Sequence, residues 1–408
     1  MSTSLHRGEP AHQSLSTLGI GGTIGKLDPI RTIGSVGPGA ARARQTGGDG
    51  KTTLPWDAAE SHYTRSLDPP RPMSGSDLTS ASHEMTPSAG SQPDLSIALG
   101  RLRLPNPVMV ASGTFGYGRE MAGLVDLCRL GGVVPKTITP QPRRGNVPWR
   151  TVETAAGLLN SIGLDNDGVE AFLANQLPWL LDCGAPVIVS IAGATIDEFV
   201  ALAARLEGVS GVAALELNVS CPNVSHGVDM GSDPELCRRV VAGVRGATSR
   251  PVLAKLTPNV ADIAAVARGA RDGGADAVTL INTCQGMAVD WRRRRPLLGN
   301  VIGGLSGPAI KPVALRCVHQ VRRAVEIPIV GVGGIMTTDD VMEFLVTGAS
   351  AVQVGTASFA DPLAAARLLD ELPAAVSSLG AASVAEIVGT LQIPDRSSCP
   401  PVSSAHAS

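Results

Sequence analysis

One thiol sits between two carboxamides in the run Asn218-Val219-Ser220-Cys221-Pro222-Asn223. A cysteine serves as general base or nucleophile where its surroundings favour the thiolate. Asn218 and Asn223 each offer donors and acceptors, which suits a planar ligand with amide-like edges. The alternative for the same residues is a small buried thiol beside turn asparagines. Before them, Val212-Ala213-Ala214-Leu215-Glu216-Leu217 is short and mostly apolar and reads as a buried strand. Pro222 bars its continuation as a central strand. The polar residues therefore fall where a strand opens into a loop.

Positioning such a loop needs a scaffold, and the chain repeats the same unit from about Leu95 onward. Apolar or β-rich runs occur at Pro107–Ala111, Gly132–Lys136, Pro186–Ile191, Ala213–Asn218, Pro251–Leu256, Ala277–Asn282, Pro328–Val332 and Ala351–Gly355. Helix-like segments lie between most of them: Ile196–Leu206, Asp233–Ala247, Val260–Asp272, Pro308–Ala324 and Asp339–Thr347, with Asp361–Leu372 last. Near-continuous apolar strands separated by helices predict a parallel sheet covered by helices. An open doubly wound sheet would be favoured by a GxGxxG after its first strand, and none follows Val108–Ala111. Eight strands over about 285 residues fit a closed α/β (β/α)8 TIM barrel. Two interruptions are long. Thr137–Ala185 is expected to carry a helix at Val169–Leu181 and an extended polar loop, and Thr283–Gly307 an Arg- and Gly-rich loop. Insertions at strand C-terminal ends are where a barrel builds a cover for its substrate.

On a barrel, the polar residues at strand ends converge on one rim. Ser112 and Gly113 follow strand 1, Lys136 ends strand 2, Asn218 ends strand 4 and Lys255 lies near the end of strand 5. Asn282 and Thr283 end strand 6, Gly333 and Gly334 follow strand 7, and Gly355 and Thr356 end strand 8. Lysines at strand ends suit an anionic or polar ligand, although their stems also snorkel from apolar surfaces. Loops after strands 7 and 8 hold a phosphate in many barrels. Glycine there lets backbone N–H groups approach the oxygens, and Thr356 adds a hydroxyl; ordinary turn glycines are the alternative. Neither loop resembles a dinucleotide fingerprint, so a mononucleotide or another phosphate-bearing ligand is expected.

Composition removes other classes. At 408 residues and 43% hydrophobic, the chain can build a sizeable core. A formal net charge of -2 makes no electrostatic case for nucleic acid or an acidic membrane surface. The seven cysteines contain no CxxC pair, so neither a metal knuckle nor an iron–sulfur cluster of usual spacing is expected. Cys128, Cys183, Cys237, Cys284 and Cys317 read as small core residues. A reducing, cytoplasmic setting is expected, because the N-terminus lacks a secretory apolar core and no run approaches a membrane span. Residues 1–90 are dense in Ser, Thr, Gly, Pro and His and lack apolar periodicity, which predicts a low-complexity, disordered extension. Residues 95–380 are expected to form the barrel, and 381–408 a C-terminal helix remnant with a flexible tail.

Several motifs in order resemble one family. They are Ala111-Ser112-Gly113-Thr114-Phe115, Asn160-Ser161-Ile162-Gly163-Leu164, Asn218 to Asn223, Gly304-Leu305-Ser306-Gly307-Pro308-Ala309 with Lys311-Pro312-Val313-Ala314-Leu315, and Gly331-Val332-Gly333-Gly334. Together they resemble class 1 dihydroorotate dehydrogenases. Leu177-Pro178-Trp179, Ile281-Asn282-Thr283, Gly286-Met287 and the Arg292–Arg295 loop are most similar to the class 1B catalytic subunit. The resemblance runs from about Leu95 to Leu379.

It implies an FMN-containing barrel that oxidises (S)-dihydroorotate to orotate in de novo pyrimidine synthesis. Cys221 is then the catalytic base. Lys136, Asn160, Asn218, Asn223, Asn282 and Thr283 bind substrate, with the backbone of Ile162, Gly163 and Leu164. Ala111, Ser112, Gly113, Lys136, Lys255, Gly307, Gly333, Gly334, Gly355 and Thr356 contact FMN. The class 1B likeness further implies NAD+ as final acceptor through a partner subunit with FAD and a [2Fe-2S] cluster. That assembly is a heterotetramer built on a homodimer of catalytic subunits. Ser190 stands where class 1B members often carry asparagine, and Val224–Gly231 runs through His226 and Asp229 where relatives are glycine-rich. Four other readings remain at this point: a class 1A enzyme reducing fumarate, a dihydropyrimidine dehydrogenase-like flavoprotein, a non-catalytic barrel scaffold, and a phosphate-binding barrel isomerase, in which the thiol flanked by asparagines has no clear role.

Overall fold

In the computed structural model, residues 92–219 and 230–394 are described. The expected extension, the segment holding Ser220, Cys221, Asn223 and His226, and the last residues of the chain lie outside them. Eight parallel strands close into a barrel in sequence order: β1 Val108–Val110, β2 Gly132–Val133, β3 Val187–Ile191, β4 Val212–Asn218, β5 Val252–Leu256, β6 Ala277–Leu280, β7 Ile329–Val332 and β8 Ala351–Val354. The closing pair joins β8 to β1, with Val354 opposite Val110. All eight expected strands are present. Most are a residue or two shorter than their apolar runs, and β2 is two residues long. Lys136 therefore lies beyond β2, its N–H bonded to the Gly116 carbonyl at 3.0 Å. Asn282 likewise lies beyond β6.

The strands are buried on both faces because side chains fill the barrel and helices wrap it. Helix Ile196–Glu207 shows why these sequences form the wrapping. Phe199, Leu202, Ala203 and Leu206 make one buried stripe, and Thr195 caps the start by accepting the Glu198 N–H at 3.2 Å. Asp233 and Asp262 cap Pro234–Ala247 and Ile263–Asp272 in the same way. The latter therefore starts three residues later than expected.

Other differences also have local causes. The Val169–Leu181 helix is broken into Gly168–Ala171, a wider π turn at Phe172–Gln176, and Leu177–Asp182. Pro178 lacks the N–H a regular helix needs there. Pro308–Ala324 splits into a 3-10 turn, Pro308–Ile310, and helix Lys311–Arg322. The last helix runs Ala364–Ser378, past Pro373, because its buried stripe continues through Leu372 to Val376. After it, Val384 and Ile387 are buried, and the N–H groups of Gly389 and Leu391 bond the Leu345 and Val346 carbonyls. Of the cysteines read as core residues, Cys237 and Cys317 are buried. Cys183 and Cys284 are intermediate and Cys128 is exposed, in a short turn that buries only Leu127.

The two long interruptions are not loops alone. They pair into one antiparallel sheet in the order Cys284–Met287, Ile302–Ser306, Gly157–Asn160, Thr151–Thr154. Glycine makes the pairing possible. A Cβ at Gly157 would stand 2.1 Å from the Ser306 carbonyl oxygen, and one at Gly303 2.5 Å from that of Asn160. A second hairpin, Val289–Asp290 with Arg295–Pro296, extends from this region.

Candidate active site

A cavity of about 550 Å3 lies between the C-terminal ends of the barrel strands and the antiparallel sheet. Its barrel side carries Ala111, Ser112 and Gly113 after β1, Lys136 after β2, Asn218 of β4 and Lys255 of β5. Asn282 and Thr283 follow β6, Gly333 and Gly334 follow β7, and Gly355 and Thr356 follow β8. Asn160, Ile162, Gly163, Leu164 and Gly307 line it from the sheet and its loops. Every expected site residue within the described residues thus lines this one cavity. Cys221 and Asn223 lie outside the described residues.

The loop Ser161–Asn166 is held from behind by residues 143–150. Arg143 and Asn166 exchange backbone hydrogen bonds at 2.8 and 3.0 Å, and Asn146 N–H donates to the Ile162 carbonyl at 2.9 Å. The guanidinium of Arg143 donates to the Gly163 carbonyl at 3.0 Å, and Arg150 pairs with Asp165 at 2.5 Å. Asn166 Nδ2 donates to the Leu164 carbonyl at 2.7 Å. These contacts keep Leu164 at φ 56°, a left-handed conformation that a leucine adopts only when its surroundings impose it. The Asp165 carboxyl is held below its ordinary range by the hydrogen bond from Arg150.

The carboxamide of Asn282 is fixed at both ends. Its Nδ2 donates to Asn218 Oδ1 at 3.2 Å and its Oδ1 accepts the Thr283 N–H at 2.8 Å. Asn160 Nδ2 donates to the Gly304 carbonyl at 3.3 Å. Asn259, not singled out from the sequence, also lines the cavity. It ties the β5 loop to the sheet, bonding the Thr283 carbonyl through Nδ2 at 3.0 Å and accepting the Gln285 N–H at 2.9 Å. Ser190 does not line the cavity. It is fully buried, with its hydroxyl 2.9 Å from that of Thr137, which does.

Elsewhere on the cavity wall, three loops meet. Gly307 and Gly334 have φ of +92° and +75°, and a Cβ on Gly334 would stand 3.0 Å from the Gly307 carbonyl oxygen. The Thr356 hydroxyl donates to Ser306 Oγ at 2.7 Å. The β7 loop is tied down by Asp340, whose Oδ2 accepts the Met336 and Thr337 N–H groups at 2.8 Å each. Burial opposes ionisation of Asp340, yet Lys311 and the loop N–H groups outweigh it and hold the carboxyl below its ordinary value.

Beneath the cavity floor is a polar layer absent from the sequence reading. Lys255 Nζ donates to Gln353 Oε1 at 3.2 Å and lies 3.5 Å from Glu216 Oε1. Glu216 Oε2 accepts from Gln353 Nε2 at 2.6 Å and from Thr279 Oγ1 at 3.2 Å. Glu216, Thr279 and Gln353 are fully buried. The available signal was a carboxylate and a carboxamide inside otherwise apolar strands, Leu215-Glu216-Leu217 and Val352-Gln353-Val354.

Among the described residues, no helix is long and apolar enough to cross a membrane. The family model described as dihydroorotate dehydrogenase matches residues 95–376. Three proteins named dihydroorotate dehydrogenase B (NAD(+)), catalytic subunit, are similar to this chain. The one from Geobacter sulfurreducens is 50% identical over 303 residues, 74% of this chain and 99% of its own. That from Trichlorobacter lovleyi is 49% identical over 302 residues, again 74% and 99%. That from Desulforudis audaxviator is 52% identical over 294 residues, 72% and 96%.

Proposed function

The chain belongs to the dihydroorotate dehydrogenase family, and from that premise we propose that it works as a class 1B catalytic subunit. It oxidises (S)-dihydroorotate to orotate in pyrimidine synthesis, using FMN, with NAD+ as the final acceptor through a partner subunit. The observation that carries this reading at the level of residues is convergence. Residues from strand ends spread between Ala111 and Thr356, and from a separate sheet, line one cavity.

The cavity suits FMN. Its volume lies within the range of ordinary ligand pockets, roughly 300–1,000 Å3. The crossing of Gly307 and Gly334 leaves no space for side chains and exposes backbone to a phosphate, with the hydroxyls of Thr356 and Ser306 beside it. Lys255, a cation, lines the cavity. Bound FMN supplies the acceptor for the hydride from C6 of dihydroorotate. Cys221 takes the C5 proton as general base. That proton is α to a carbonyl, so negative charge grows on the carbonyl oxygen, and donors fixed beforehand lower the barrier. Asn160, Asn218, Asn223 and Asn282 supply those donors, with Lys136 matching the substrate carboxylate. The braced loop Ile162-Gly163-Leu164 positions the substrate before it reacts.

The electrons leave through a second subunit with FAD and a [2Fe-2S] cluster, and the proposed assembly is two catalytic and two electron-transfer subunits. An apolar face supports a protein interface. Val147, Trp149, Met287, Val289 and Trp291, none of which lines the cavity, are all more than half exposed, Trp149 and Trp291 at 74% and 70%. The enzyme is placed in the cytoplasm. The proposed domain organisation is an extension over 1–90 and a barrel over 95–380 to which the residues as far as Leu391 are also tied, ahead of the remaining C-terminal tail.

The test is anaerobic. The purified chain is expected to carry FMN that dihydroorotate bleaches. NAD+ is reduced only after an electron-transfer subunit is added. Rapid reoxidation by fumarate alone defeats the class 1B assignment, and an FMN-loaded protein that does not bleach defeats the substrate.

A further inference from the structure

Glu216 has a use that the reaction chemistry above does not include. Its side chain is fully buried in β4, and it does not line the cavity. Burying a carboxylate costs several kcal/mol unless partners compensate, and an apolar replacement is often no less stable. The compensation here is uneven. Both neutral donors, Gln353 Nε2 and Thr279 Oγ1, reach the same oxygen, Oε2. Oε1 has no hydrogen bond, and the cation nearest to it among the described residues is Lys255, at 3.5 Å. Gln353 engages both members of the pair. It accepts from Lys255 and donates to Glu216. The carboxylate is thus oriented by neutral groups while one oxygen faces an ammonium it does not close upon. Lys255, unlike Glu216, lines the cavity.

We propose that Glu216 is a positioning residue that acts through Lys255: it offsets the lysine's charge and thereby lowers the reduction potential of FMN. The inference rests on the FMN reading above. Two-electron reduction adds two electrons and one proton to the flavin, leaving one extra negative charge in the site. An ammonium at the cavity floor favours that charge, and a carboxylate just beneath opposes it. Both charges lie in a poorly screened interior. A catalytic subunit whose electrons end on NAD+ needs a flavin that releases them readily, and a bare lysine works against release.

The experiment compares the FMN-loaded wild type with Glu216→Gln and Glu216→Asp. Each is titrated anaerobically against a redox dye, alongside FMN content and thermal stability. Glu216→Gln removes the charge and keeps the shape. At a fixed potential its ratio of reduced to oxidised flavin rises at least tenfold, about 30 mV for a two-electron couple. Glu216→Asp keeps the charge but draws it back from Lys255, and its potential falls between the other two. Lower stability with an unchanged or lowered potential in both variants marks a purely structural residue and overturns the proposal. If Glu216→Gln does not fold, Glu216→Asp decides alone: a rise supports the proposal, and no change or a fall overturns it. A wild-type protein without FMN, or one that dihydroorotate does not bleach, refutes the functional reading instead.

Discussion

Replacing Gly334 by alanine tests the phosphate end of the site with a single methyl group. The new Cβ would stand 2.7 Å from Lys311 Cβ, 2.9 Å from Lys311 N and 3.0 Å from the Gly307 carbonyl oxygen. Two of these three atoms are backbone, so no flexible side chain can yield. The residue's φ of +75° adds the left-handed penalty, ~1–2 kcal/mol for a residue with a Cβ. Overpacking adds ~1–3 kcal/mol. The variant is therefore expected to lose ~2–5 kcal/mol of stability without FMN, measured by urea unfolding of the stripped protein. Gly355 is the control. Its added Cβ would meet Ala111 Cβ at an ordinary 3.5 Å, and Gly355→Ala should change stability by less than ~0.5 kcal/mol. Relief of the Gly334 clash moves two loops apart, and both line the cavity. If ~2 kcal/mol of this falls on binding, FMN affinity drops roughly thirtyfold. Fluorescence titration of the stripped protein with FMN reads that directly. Equal stability of the two variants, or unchanged FMN affinity in Gly334→Ala, would refute the crossing of these loops as the phosphate cradle.

Other perturbations separate the remaining roles. Cys221→Ser should slow flavin reduction by dihydroorotate by roughly 10²–10⁴ in stopped flow while FMN content holds; an unchanged rate removes Cys221 as base. Asn282→Ala removes the bonds this carboxamide makes to Asn218 Oδ1 and to the Thr283 N–H. It should lower kcat/KM for dihydroorotate at least tenfold, about 1.4 kcal/mol, with normal FMN spectra. Trp291→Glu places a charge on the exposed apolar face and should weaken association with the electron-transfer subunit in size-exclusion chromatography, leaving dihydroorotate bleaching intact. Burial raises the Asp276 carboxyl, but hydrogen bonds from Arg101 and the Val252 N–H outweigh it, so its folded pKa lies below 3.8. Its stabilising contribution is full above 3.8 and is lost as pH falls through the lowered folded value. Asp276→Asn should therefore cost most at neutral pH, and the gap from wild type in denaturation midpoint should shrink in acid.

The barrel was legible because each strand is a local signal: a few β-branched or apolar residues ending in a polar or glycine residue at the rim. The rim residues followed from the same register. The antiparallel sheet was not legible. Its strands are four or five residues long, three of the four contain glycine, and what stabilises them is a partner in a remote segment. Thr151–Thr154 and Ile302–Ser306 read as polar or irregular for that reason. Glu216 and Gln353 were hidden differently. Apolar neighbours outweighed them in a strand window, although a buried charge in such a run signals a partner across the barrel. Asn259 carries no motif, and its importance lies only in the two loops it joins.

The sheet over the cavity also orders events in the making of the enzyme. Asn160 and Gly304 pair across 144 positions, and β3 to β6 all lie between them. Contacts of that separation bear a large loop-closure cost and form late. A chain still emerging from the ribosome can pair its early barrel strands, but it has no finished cavity until residues 302–306 are out and β3 to β6 have brought the two segments together. The glycine loops after β7 and β8 emerge later still, so the cavity is complete only when nearly the whole barrel has been made.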